Sequence, residues 1–182
     1  MKKVLAASGL VLAGVITALA PSPALASSAA AQSTAGVSAA SAGCQTRAIK
    51  SLANGRYVSA EFGWSGSNDG MLRARATKVG PWEKFRICQG LLYDSIWSTE
   101  GNYVSAELGN TGATKGMLRA RAYKVGPWEE FRIISCGTGC VAIRRANVQT
   151  YVSAELGNTG DRYGMLRARA GSIGPWERFS LQ

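Results

Sequence analysis

Histidine is absent from this chain of 182 residues. Its absence excludes Ser-His-Asp and Cys-His catalytic arrangements and removes a common nitrogen ligand of zinc. The remaining catalytic candidates are carboxylates that recur in three sequence repeats, whereas an active site normally breaks such symmetry. We therefore predict a protein that is not an enzyme and has no cofactor or metal. These carboxylates are Glu61, Glu107, Glu155, Glu83, Glu129 and Glu177.

Long apolar runs are absent after residue 20. Two lysines precede the apolar run at residues 4–20, and Ala24-Leu25-Ala26 has the form of a bacterial cleavage site. The run is short for a membrane anchor, which needs about 20 strongly apolar residues. We predict a signal peptide over residues 1–26, a secreted extracellular protein and no membrane span in the mature chain. Residues 27–43, rich in alanine and serine, are predicted to form a flexible leader.

Acidic residues are few, at 11 against 21 basic ones. Cleavage of the signal would remove two lysines, so the formal charge of +10 would fall to +8. This charge favours anionic surfaces such as wall polymers, acidic polysaccharides, nucleic acid or membranes, although it serves solubility equally well. Nucleic acid is disfavoured because the arginines alternate with alanines rather than with aromatic side chains.

Cysteine is also scarce, with four residues in the chain. An even number in an exported protein indicates two disulfides. Spacing alone leaves three pairings of Cys44, Cys88, Cys136 and Cys140 open.

A repeat dominates the rest of the sequence. Three gap-free copies share 19 of 29 positions, in the pattern YVSAE-x-G-x-x-G-x-x-x-GMLRARA-x-x-x-GPWE-x-F. Such periodicity indicates a repeat architecture. The copies are Tyr57–Phe85, Tyr103–Phe131 and Tyr151–Phe179.

Each copy has the alternation of β-strands. Val58 and Ala60 share one face of the first segment, and a nine-residue glycine-rich loop joins it to Met-Leu-Arg-Ala-Arg-Ala as a hairpin. The segment after Gly80-Pro81 predicts another strand over Trp82–Ile87. A further β-rich stretch precedes each hairpin, at Arg47–Leu52, Tyr93–Thr99 and Cys140–Arg145.

Twelve strands in three units predict an all-β fold, a β-trefoil with pseudo-three-fold symmetry. Its repeats would span about residues 44–89, 90–137 and 138–182. A short β-prism and an open sandwich are the alternatives, while propellers usually need at least four blades. The first and fourth strands of a trefoil unit are neighbours, so this fold predicts the disulfide Cys44–Cys88 in the first unit. Cys136 would end the fourth strand of the second unit and Cys140 would begin the first strand of the third across a short turn, which predicts the disulfide Cys136–Cys140.

The repeat resembles that of fascin-like β-trefoil domains of the actin-crosslinking superfamily, which also occur in secreted bacterial proteins. The resemblance rests on Gly55–Glu61, Leu72–Ala74 and Gly80–Phe85, and it extends over residues 44–182 in three copies. It implies the trefoil fold and offers filament binding as a function. Ricin-type trefoils carry Gln-x-Trp near the end of each unit, where this chain has Gly-Pro-Trp-Glu.

Aromatic residues close each copy. Their identical placement predicts a symmetric core layer, with platforms for sugar rings as the alternative for the tryptophans. This core set is Trp82, Phe85, Trp128, Phe131, Trp176 and Phe179. Each hairpin carries a pair of arginines: Arg73/Arg75, Arg119/Arg121 and Arg167/Arg169. We predict that they form structural ion pairs with glutamates, with Glu61 diagonal to Arg73, and a basic binding face is the alternative.

The copies differ most in the hairpin loops, and loops on rigid scaffolds carry function. Trp64, near two polar residues, suits sugar stacking but could equally fold back onto the barrel. The predicted ligand-binding residues are Trp64, Asn68, Asp69, Asn110, Thr111, Lys115, Asn158, Thr159, Asp161, Arg162 and Tyr163. The sequence thus predicts a non-catalytic module that recognises a polysaccharide, a cell-surface glycan or another extracellular polymer. The alternative is an extracellular protein partner, through fascin-type actin binding or protease inhibition.

Overall fold

The computed structural model describes residues 43–182. The predicted signal peptide and all but the last residue of the predicted leader lie outside the described residues. In the described part, no helix is long and apolar enough to cross a membrane. The strands are β1 (Cys44–Ser51), β2 (Tyr57–Glu61), β3 (Met71–Ala76), β4 (Lys84–Gln89), β5 (Asp94–Ser98), β6 (Tyr103–Glu107), β7 (Met117–Ala122), β8 (Phe131–Gly137), β9 (Cys140–Arg145), β10 (Tyr151–Glu155), β11 (Met165–Ala170) and β12 (Phe179–Leu181).

Six of these strands close a barrel. Antiparallel pairing runs from β1 to β4, β5, β8, β9 and β12, and β12 pairs back to β1. Closure leaves the barrel without an exposed sheet edge. The other strands form three hairpins, β2–β3, β6–β7 and β10–β11. Their second strands pair with one another around the pseudo-three-fold axis. The predicted β-trefoil, with four strands in each repeat, is confirmed.

The core repeats the same side chains three times. Phe85, Phe131 and Phe179 are fully buried, as predicted. Each phenylalanine side chain buried in this way contributes about 1.5–3 kcal/mol. Isoleucines of the barrel strands, together with leucines, valines and alanines of the hairpin strands, complete the main cluster. A separate cluster is formed by Met71, Met117 and Met165.

The tryptophans of the same motif do not belong to the core, so that part of the prediction is wrong. Trp82, Trp128 and Trp176 are 40%, 37% and 43% exposed. In repeats one and three the Pro-Trp-Glu segment forms a short 3-10 helix rather than the start of a strand. This turn leaves the indole at the surface, and the phenylalanine three residues later enters the barrel.

Both predicted disulfides are present. Cys44 lies directly opposite Cys88 where β1 pairs with β4, and the two are bonded. Cys136 and Cys140 are bonded across the turn between β8 and β9. The first bridge therefore follows from the pairing of the first and fourth strands of repeat one, and the second from the short turn between repeats two and three.

The hairpin register is confirmed at the tip and differs at the base. Glu61 pairs with Met71 and Ser59 with Arg73, as predicted. Tyr57 was expected to face Arg75 but pairs with Ala76, because a bulge leaves Arg75 without a partner in the ladder. The same register shift occurs in all three hairpins.

Candidate binding surfaces

The second arginine of each pair forms the structural ion pair. The guanidinium of Arg75 donates from Nε and Nη2 to the two carboxylate oxygens of Glu61, whose side chain is buried. These bonds raise the pKa of Arg75, and the charge of Glu83 adds to the rise. Glu61 does lie diagonal to Arg73 in the hairpin register, as expected, but its ion pair is formed with Arg75, so the predicted pairing with Arg73 is wrong. The equivalent pairs are Arg121–Glu107 and Arg169–Glu155.

The first arginine of each pair clamps the loop of a neighbouring repeat. Arg73 donates from Nε to the Tyr163 carbonyl at 3.0 Å and from Nη2 to the Gly160 carbonyl at 3.2 Å. Arg73 is buried, and loss of solvation lowers its pKa. Arg119 and Arg167 clamp the loops of repeats one and two in the same way. These arginines connect the repeats in a cycle.

Backbone bonds reinforce each clamp. The Ala74 amide donates to the Gly164 carbonyl at 2.7 Å, and the two equivalent bonds are 2.8 and 2.7 Å long. Gly164 has φ +71°, and a Cβ there would lie 2.7 Å from the Ala74 carbonyl oxygen. Only glycine permits this close approach. The three loops are thus held firmly against one another around the axis.

Five side chains from the three loops line a depression of about 450 Å³. Asn68, Thr114 and Arg162 occupy the same position in the three repeats, so each repeat contributes a different polar group. Thr159 and Asp161 complete the lining. Sequence reasoning identified four of these residues and missed Thr114, although its alignment with Asn68 and Arg162 could have indicated it.

The other predicted loop residues lie outside that lining. Trp64 folds back: it is half-buried, packs against the methionine cluster and has the Arg73 guanidinium 5.5 Å from its ring centroid. Asp69 accepts a hydrogen bond from the Gly63 amide at 3.0 Å. Asn110 and Asn158 each donate to a carbonyl of their own loop. Thr111, Lys115 and Tyr163 are exposed. Several of these residues thus shape the loops.

The three exposed tryptophans form a second, symmetric set of candidates. Each tryptophan follows Gly-Pro and precedes a glutamate, whose carboxylate accepts a hydrogen bond from the amide of that glycine. In repeat one the Gly80 amide donates to Glu83 Oε2 at 2.8 Å. The same bond closes the other two turns. Trp82 also makes an edge contact with Phe62, at 6.2 Å between ring centroids. Each indole is therefore presented by a fixed turn.

A third surface lies at the loop joining β4 and β5, beside a depression of about 530 Å³. Leu91 and Leu92 are 90% and 77% exposed there. Arg132 holds the loop by donating to the Gly90 carbonyl at 3.0 Å and to the Leu91 carbonyl. The hydrophobic and repeat patterns of the sequence did not indicate this surface.

No protein-family model matches the chain, and no curated protein matches it significantly in sequence. Solved structures do resemble it. A designed three-fold symmetric protein, ThreeFoil, has 16% identity and a TM-score of 0.62, covering 75% of this chain and 96% of its own. A Macrolepiota procera ricin B-like lectin, solved with lactose, has 15% identity and a TM-score of 0.59, with coverages of 76% and 94%. SeviL, solved with the asialo-GM1 saccharide, has 11% identity and a TM-score of 0.54, with coverages of 77% and 98%. At these identities the likeness establishes the β-trefoil fold.

Proposed function

We propose that this protein is a secreted, non-catalytic module that binds carbohydrate polymers through three equivalent tryptophan surfaces. The observation that carries the proposal is the exposure of Trp82, Trp128 and Trp176 at the same position in each repeat. Single exposed tryptophans are common on protein surfaces. Here three tryptophans are exposed at equivalent positions, each on a hydrogen-bonded turn, so the same aromatic surface is presented three times. The apolar face of a pyranose ring can stack on such an indole.

Charged groups near each indole can supply the polar part of sugar recognition. Glu83 follows Trp82 directly, and its charge contributes to the raised pKa of Arg75. The carboxylate of Glu83 is engaged by the Gly80 amide, and its equivalents Glu129 and Glu177 are buried. The side chain of Arg75 is 43% exposed beside its ion pair, and its Nη1 group lies outside that pair and can donate to sugar hydroxyls. Because the turn is already fixed by its own hydrogen bonds, little conformational entropy would be lost on binding.

Three sites on one domain suit a polymer. Once one repeat is bound, the other two meet the same chain or surface at high effective concentration, so weak sites combine into strong retention. Two neighbours of the same fold are a lectin solved with lactose and a protein bound to a saccharide, which supports this function. The predicted signal peptide and the two disulfides support secretion.

Retention on insoluble polymers tests the proposal. Wild type and Trp→Ala variants at the three positions, singly and combined, are mixed with chitin, cellulose, xylan, β-1,3-glucan and purified bacterial cell walls. We expect at least one polymer to retain the wild type, each single variant to bind more weakly, and the triple variant to lose at least about 100-fold in apparent affinity. Tyr123→Ala is the matched control, because Tyr123 is 89% exposed and has no aromatic counterpart in the other repeats.

Two results would contradict this function. One is a triple variant retained as strongly as the wild type. The other is a wild type retained by none of the polymers; if that protein instead co-sedimented with actin filaments or inhibited a protease, the protein-binding alternative would replace the carbohydrate function.

A further inference from the structure

The depression on the pseudo-three-fold axis differs chemically from the tryptophan surfaces. Its lining offers an amide, two hydroxyls, a carboxylate and a guanidinium, and no aromatic side chain. Its volume of about 450 Å³ lies in the range of small-molecule sites, about 300–1,000 Å³. Because each repeat contributes a different side chain at the shared position, the axis carries one asymmetric site rather than three equal ones.

Positive charge surrounds this site. The three loops contain two basic and two acidic residues. The clamping arginines Arg73, Arg119 and Arg167 lie against these loops and add three positive charges. Of the two acids, Asp69 is bonded to the Gly63 amide, and Asp161 lies close enough to Arg73 for its charge to oppose the fall in the pKa of that arginine. The hairpin glutamates, of which Glu61 also acts on Arg73, are neutralised by their ion pairs with Arg75 and its equivalents. The remaining balance of +3 favours an anionic ligand.

We propose that the axial depression binds a carboxylated sugar residue, a hexuronate unit of an acidic saccharide. The exposed guanidinium of Arg162 pairs with the sugar carboxylate, for which its planar fork is suited. Asn68, Thr114 and Thr159 exchange hydrogen bonds with ring hydroxyls, and Asp161 accepts from a neighbouring pair of hydroxyls.

The rigidity of the loops supports a preformed site. Each loop carries two guanidinium hydrogen bonds and one backbone bond from a neighbouring repeat. Polar lining residues are therefore presented without the entropic cost of ordering three separate loops. The inference does not rest on the tryptophan surfaces, because none of the tryptophans lines this depression.

Calorimetric titration with digalacturonic acid, and with its dimethyl ester as the uncharged counterpart, tests the assignment. We expect the acid to bind and the ester to bind at least 10-fold more weakly. Arg162→Gln should weaken acid binding at least 10-fold, and Thr114→Val several-fold. Lys124→Gln, which removes an exposed positive charge outside the depression, is the charge-matched control and should bind like the wild type.

In NMR titrations with digalacturonic acid, the chemical shifts of the backbone amides should change around residues 68, 114 and 159–162. Equal binding of acid and ester, equal weakening by Lys124→Gln and Arg162→Gln, or no binding of the acid would each overturn the inference. The triple tryptophan variant separates the two proposals: it should lose retention on polymers and still bind digalacturonic acid. Loss of acid binding in that folded variant would overturn the axial site.

Discussion

At the residue scale, two aromatic side chains of one short motif perform opposite tasks. In repeat two, Phe131 is fully buried whereas Trp128 is 37% exposed. We predict that Phe131→Ala lowers the free energy of unfolding by about 3–5 kcal/mol, because it removes a buried ring and leaves a cavity. Trp128→Ala should cost about 1–2 kcal/mol, since more than a third of that residue stays exposed to water. Equilibrium urea unfolding of both variants measures the difference, and equal losses would contradict the assignment of core and surface.

The same pair of residues marks what the sequence could predict. Identity across three copies predicted a symmetric role, and Phe85, Phe131 and Phe179 fill the barrel as expected. For Trp82 and its equivalents the inference was wrong, because a symmetric protein repeats its surface as faithfully as its core. The distinction depends on a 3-10 turn that rotates Trp82 outward, and hydrophobic alternation does not report such a turn.

At the scale of elements, the hairpins are joined by contacts between repeats. The second strand of each hairpin (β3, β7 or β11) donates hydrogen bonds, through an arginine side chain and a backbone amide, to the loop of another repeat. The hairpins, their loops and most of the register were predictable from alternation and glycine placement. The clamps were not, because local patterns contain no information on contacts between residues about 90 positions apart, such as Arg73 and Tyr163.

Gly164 provides the test at this scale. We predict that Gly164→Ala destabilises the protein by about 2–4 kcal/mol, because a left-handed backbone strains a residue with a Cβ and because that Cβ would meet the Ala74 carbonyl. Gly160→Ala is the matched control: its φ is +58°, but nothing lies within 4 Å of its Cβ position. It should cost only about 1–2 kcal/mol. Thermal and urea unfolding compare the two, and equal losses would show that the close approach of repeats one and three has no energetic weight.

At the scale of the whole molecule, stability depends on closure of the barrel. Strand β1 pairs with both β4 and β12, so the first strand of the fold closes the ring between the first and third repeats. The Cys44–Cys88 disulfide ties β1 to β4 at the start of this strand. This pairing was predictable from the order of strands in a trefoil, whereas spacing alone left three pairings open.

The two disulfides should differ in their effect on stability because they close loops of different length. The bridge Cys44–Cys88 joins residues 44 apart, and Cys136–Cys140 joins residues 4 apart. Chain-entropy arguments give contributions of about 4 and about 2 kcal/mol. We therefore predict that Cys44→Ser/Cys88→Ser lowers the free energy of unfolding about twice as much as Cys136→Ser/Cys140→Ser in urea titrations without reductant. The opposite order would mean that the short bridge, which supports the β8–β9 turn, matters more to the closed barrel than the tie between β1 and β4.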